Sequence, residues 1–172
     1  IMDVLPDETT LLGTAIGYAQ INNGTPIVEI PYAKYLDCGM DIFSEACLLY
    51  WLSAGQQTNG MLIRLQGFDR GSFGGNFHTH NGLYLLPGLD ILCYSNGNDY
   101  VKGIRYAYQQ ACSGRVVMTV DSTDLLNDRS NKTTYPDKDE YLDFNSVHIH
   151  EKNINNNCAV ITYGTGVKIA NN

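Results

Sequence analysis

Asp7-Glu8-Thr9-Thr10-Leu11-Leu12-Gly13-Thr14-Ala15-Ile16-Gly17-Tyr18-Ala19-Gln20, and shortly after it Pro26-Ile27-Val28-Glu29-Ile30-Pro31-Tyr32-Ala33-Lys34-Tyr35, decide how this chain is read. Asp7 is a good N-cap, and the apolar spacing behind it predicts a helix to about Gln20. The small residues Gly13, Ala15, Gly17 and Ala19 favour close packing of that helix on a sheet. Asn22-Asn23-Gly24 is a turn signal, and Pro26 to Ile30 reads as a short strand. An acid thus opens the helix and an aromatic, Tyr35, follows the strand. Residues at two such element ends can face one crevice at the edge of an α/β sheet.

Working outward, the alternation continues. Apolar residues at helical spacing run from about Asp37 to Ser53, with Gly55 as the stop. Met61 to Leu65 reads as a strand, and a glycine-rich loop follows from Gly67 to Asn76. Asp90 to Tyr94 reads as a strand, Asn98 to Cys112 as a helix and Val116 to Val120 as a strand. Near-continuous apolar strands alternating with helices predict an α/β fold, a three-layer parallel sheet with helices on both faces. From about Asp121 to Asn157 the pattern breaks into a linker-like stretch with one short strand, Ser146 to His150. Cys158 to Gly164 then reads as the first strand of a further unit. The chain opens on Ile1 rather than a methionine, and we expect it to be a fragment lacking the start of its first domain.

Composition narrows the function. Hydrophobic content of 44% with 17% charged residues predicts a buried core rather than disorder. A net charge of −7 argues against nucleic acid, because phosphate contacts need clustered Lys and Arg. No apolar run approaches the roughly eighteen residues of a membrane span, and no signal peptide is visible. The five cysteines, Cys38, Cys47, Cys93, Cys112 and Cys158, include no C-x-x-C pair. Three lie in apolar runs and read as small core residues, which fits a reducing compartment.

The order of these features resembles the pyrimidine-binding, transketolase-like domain of thiamine-diphosphate enzymes, most nearly the β subunit of 2-oxoacid dehydrogenases. The acid Glu8, the run Gly13-x-Ala15-x-Gly17-x-Ala19, and Glu29-Ile30-x-Tyr32-Ala33-x-Tyr35 carry the likeness. Gly74-Gly75-Asn76-Phe77-His78, Pro87-Gly88-Leu89-Asp90-Ile91 and Asp99-Tyr100-Val101-Lys102-Gly103 continue it in the same order. Two readings of Glu8 stand side by side. As a first-turn charge it complements the helix dipole. By the resemblance it is the glutamate that hydrogen-bonds the cofactor's pyrimidine and switches it on, a role that calls for a buried carboxyl with a raised pKa.

The resemblance further implies that Tyr35 packs an aromatic face on the pyrimidine and that Pro31 lies beside it. Pro31 stands where the family often has Gln or Met, and it brings no side-chain donor. His78 is implied as a catalytic imidazole that orients the substrate carboxylate or assists proton transfer. His80 is either a second acid–base group or a cap for its loop. No Gly-Asp-Gly motif occurs, so Mg²⁺ and the diphosphate are implied to be held by a partner, an α subunit or a fused α region. A β–β contact, a lipoyl acyltransferase component and a 2-oxoacid substrate are the other implied partners. The expected compartment is the cytoplasm, or the mitochondrial matrix in a eukaryote.

On this reading residues 1–125 form the pyrimidine-binding domain, N-terminally incomplete, residues 126–158 a linker, and residues 159–172 the start of a transketolase C-terminal-type domain. Rival readings are a transketolase-like or deoxyxylulose-phosphate-synthase-like carbon-unit transferase and a non-catalytic assembly domain. The pairs His78-x-His80 and His148-x-His150 also have strand spacing for a zinc site, and the glycine-rich loop is weakly suggestive of phosphate binding.

Overall fold

A computed structural model describes residues 7–57, 60–66, 86–147, 149, 155 and 157–171. Helix α1 (Glu8–Asn22) starts where Asp7 accepts a 2.9 Å hydrogen bond from the Thr10 amide. It ends at Asn23, whose φ of 50° is the left-handed cap that asparagine tolerates. Strand β1 (Ile27–Ile30) follows, then a 3-10 segment (Ala33–Gly39), helix α2 (Met40–Leu52) and strand β2 (Met61–Gln66). Strand β3 (Leu89–Leu92), helix α3 (Gly97–Cys112) and strand β4 (Val116–Asp121) complete the alternation. The short helices α4 (Thr123–Asn127) and α5 (Thr165–Ala170) come after it.

Among the described residues the four strands form one parallel sheet in the order β1-β2-β4-β3. Alternate side chains divide its two faces. Val28, Ile30, Met61, Ile63, Leu65, Val116, Met118 and Val120 meet Leu12, Leu36 and Phe43 from α1, the 3-10 segment and α2. Leu62 and Val117 point the other way and meet Ala107 and Ala111 of α3. Helices therefore cover both faces, as the apolar strands predict.

Several expectations are corrected. Gly13 and Gly17 do not pack on the sheet. A Cβ at either would meet no atom within 4 Å, because the core-facing stripe of α1 is Leu12, Ala15, Ile16 and Ala19. The helix expected from Asp37 begins at Met40, preceded by a 3-10 segment. Lys34 and Asp37, paired at 2.6 Å, suit that tighter winding, in which residues three apart eclipse. A short helix sits in the stretch expected to be irregular, because Ser122 caps it by accepting from the Leu125 amide at 3.1 Å.

Ser146, Val147 and Ile149 are not in a strand. The Asp143 carboxylate accepts from the Asn145 amide at 2.9 Å and the Ser146 hydroxyl at 3.0 Å, so the backbone turns instead. Cys158 to Tyr163 is not a strand either. Val160 is 73% and Ile161 96% exposed, and no described strand lies beside them to supply the hydrogen bonds an apolar strand needs. Of the cysteines only Cys47 is a buried core residue; Cys93 is half-buried, and Cys38, Cys112 and Cys158 are exposed.

The segment expected as a linker runs along α3 in its first part. Leu142 donates its amide to the Lys102 carbonyl at 3.3 Å, and Phe144 packs edge-on to Tyr106 with ring centroids 4.9 Å apart.

Candidate functional site

Glu8 and Tyr35 come from elements that touch. Glu8 is in the first turn of α1 and is half-buried. The neighbouring Thr9 hydroxyl donates to the Cys38 carbonyl at 2.8 Å, tying the helix start to the 3-10 segment. Gly39 permits this approach: a Cβ there would lie 2.8 Å from Leu12 Cδ1 and 3.1 Å from the Glu8 carbonyl carbon. Tyr35 is half-buried in the 3-10 segment and meets Tyr32 edge-on at 5.3 Å. Pro31 is exposed at the end of β1. His78 lies outside the described residues, as do His80, His148, His150 and the glycine-rich loop, so the proposed zinc and phosphate arrangements fall outside the described residues too. Among the described residues no cluster of three His, Cys, Asp or Glu is placed to hold a metal, and no helix is long and apolar enough to cross a membrane.

A second group of polar residues crosses the α3 face at the carboxyl ends of the strands. Arg64 of β2 donates from Nη2 to Asp121 Oδ2 at 2.8 Å and from Nε to the same oxygen at 3.2 Å. Its Nη1 reaches Glu29 Oε1 of β1 at 3.2 Å. Tyr100 of α3 donates its hydroxyl to Asp121 Oδ2, also at 3.2 Å. The Asp121 side chain is 1% exposed and that of Arg64 30%. Burial pushes the Asp121 carboxyl above its usual range, against the opposing pull of Arg64. Burial acts to lower Arg64, but its hydrogen bond to Asp121 together with the charges of Tyr100, Asp121 and Glu29 more than offsets that and raises it. Burial, then the Asp121 charge, pushes the Tyr100 phenol up to about 12.

Beside this network a cleft of about 440 Å³ opens between α3, the end of β4 and α4. Tyr94, Tyr100, Asp121, Ser122, Arg129 and Lys132 are among the residues that line it. Parallel α/β sheets place their ligands at this carboxyl edge. Tyr94 is seated here because α3 carries Gly103, where a Cβ would lie 2.2 Å from the ring Cε1 and the hydroxyl. Gly103→Ala is expected to lower stability by about 1–3 kcal/mol through this overpacking. Urea unfolding checks it. The cost should shrink in a Tyr94→Ala background, and a silent Gly103→Ala would show that the ring does not pack there.

Sequence reading missed this network. The available signal was Arg64 itself, a charge inside the apolar run Met61 to Leu65, which a buried strand accommodates only with a partner. No family model matches the chain, and no curated protein matches it.

Proposed function

We propose that the chain is the β-type portion of a thiamine-diphosphate-dependent 2-oxoacid dehydrogenase, its parallel sheet a transketolase-like pyrimidine-binding domain over residues 1–125. The observation that carries the reading is the junction of α1 with the 3-10 segment. There the first turn of α1, which carries half-buried Glu8, meets the 3-10 segment, which carries half-buried Tyr35 just past the end of β1. Those residues fit an aminopyrimidine: a carboxyl for the ring nitrogen and an aromatic ring for its face. When bound, the cofactor supplies the carbon nucleophile for decarboxylation. Glu8 holds and exchanges a proton at the pyrimidine nitrogen, Tyr35 and Pro31 flank the ring, and His78 serves the substrate carboxylate. Residues 126–158 then connect to a C-terminal-type domain beginning at 159. Mg²⁺ and the diphosphate are held by an α partner, and the acyl group passes to a lipoyl carrier.

The test is calorimetric titration of the full-length parent protein, with its α partner, by thiamine diphosphate and Mg²⁺. Saturable binding and turnover of a 2-oxoacid are expected. A panel of pyruvate, branched 2-oxoacids and sugar phosphates separates a dehydrogenase from a carbon-unit transferase. Absence of binding at about millimolar cofactor would overturn the reading.

A further inference from the structure

We propose that the cleft between α3, β4 and α4 binds a small organic anion, a carboxylate carried on a compact apolar body. It is a second site. The cleft sits by β4, whereas Glu8 and Tyr35 belong to elements packed at β1, two strands away in the sheet.

The charged side chains of the lining set the sign of the ligand. The acids are Asp121 and Asp128, and the bases are Arg129 and Lys132. Each acid is committed to a cation from outside the lining. Asp121 pairs with Arg64 at 2.8 Å, and its side chain is 1% exposed, so it presents no free carboxylate to the cleft. Asp128 accepts from Lys168 at Oδ2, and at Oδ1 from the Ser130 amide at 2.8 Å and the Ser130 hydroxyl. Arg129 and Lys132 are exposed and make no ion pair among the described residues. Two unpaired cations beside two committed acids leave a positive rim, which draws an anion. A guanidinium fork and an ammonium both suit a carboxylate.

The remainder of the lining points to the body of the ligand. Leu126 is 51% and Tyr135 78% exposed, and both line the cleft. Val101, Leu125 and Tyr100 line it too and are half-buried. The Tyr100 hydroxyl is taken by Asp121, so this residue adds apolar wall rather than a donor. Apolar side chains left open to water in a concave site are what an apolar ligand covers. The volume of about 440 Å³ suits a ligand of one ring and a short arm. A bare carboxylate would leave these side chains wet, and a neutral apolar body would leave both cations unanswered. A ligand with both parts uses the whole lining.

Calorimetric titration of the full chain without thiamine diphosphate is the test, with hydrocinnamate as the probe. Hydrocinnamyl alcohol and phenylpropylamine carry the same body without the negative charge, and acetate carries the charge without the body. Hydrocinnamate is expected to bind about tenfold or more tightly than each of the three. Arg129→Met/Lys132→Met should remove its advantage over the alcohol, and Leu126→Asp should weaken it by about tenfold. All three positions are exposed, so the variants keep the fold. No saturable binding of hydrocinnamate at about 10 mM, equal binding by any of the three controls, or indifference to either variant would each overturn the proposal. With no cofactor present, these outcomes are separate from the test of the proposed function.

Discussion

On the proposed function, Glu8→Gln in the protein assembled with its α partner is expected to abolish 2-oxoacid decarboxylation while leaving the fold intact. Glutamine keeps the length and the hydrogen-bonding reach of the side chain but cannot exchange the proton. Losing such a group typically costs about 10²–10⁴ in rate. The fold should not notice, because Glu8 does not cap its helix. That work falls to Asp7, which accepts from the Thr10 amide and whose carboxyl is held below its usual range first by the Thr10 hydroxyl. The adjacent acids therefore make an internal control. Asp7→Ala should lower the urea midpoint and leave the decarboxylation step running in the folded fraction. Glu8→Gln should do the reverse. Steady-state rates with pyruvate, read beside urea unfolding of each variant, decide it. Full activity in folded Glu8→Gln would remove Glu8 from the chemistry and return it to the helix-dipole role.

The asymmetry between these two acids shows what the sequence could and could not disclose. The cap was legible because Asp7 acts on residues three positions away, through backbone whose helical course the apolar spacing already indicates. Strands β2 and β4 were legible for a similar reason, since a strand buried on both faces shows as an unbroken apolar run. The same reasoning misled at Val160 and Ile161. An apolar run specifies a strand only when a neighbour supplies its ladder, and no described strand stands beside them. The Arg64–Asp121 contact was illegible because 57 positions separate its partners. Only the parallel register, which sets Gln66 against Asp121 and Arg64 against Thr119, brings their side chains onto one face. Tyr100 joins them from α3, and no spacing within the helix marks it for that role. Of the residues implied by family resemblance, Glu8 and Tyr35 stand on elements that touch, Pro31 is exposed just after β1, and His78 lies outside the described residues.

Arg64→Leu is expected to destabilise the protein by about 3 kcal/mol, because it leaves the Asp121 carboxylate buried without its counter-charge. The figure reflects an orphaned ion rather than the net worth of the pair. Arg64→Leu/Asp121→Leu should accordingly recover most of the loss, since replacing both members of a buried pair with apolar groups is often close to neutral. The pH dependence gives the deficit a sign. In the wild type Asp121 is already raised above its ordinary value of 3.8 by burial, with Arg64 opposing that shift. Removing Arg64 raises it further. A carboxyl whose folded pKa exceeds its unfolded pKa favours folding when protonated, and that contribution is lost as pH rises through the folded value. The single variant should therefore be furthest below wild type near neutral pH, and the gap should narrow as pH falls toward the unfolded value. Urea midpoints measured across that range test both statements. A gap that stays constant with pH would mean that lost packing of the Arg64 stem, not the uncompensated charge of Asp121, sets the cost.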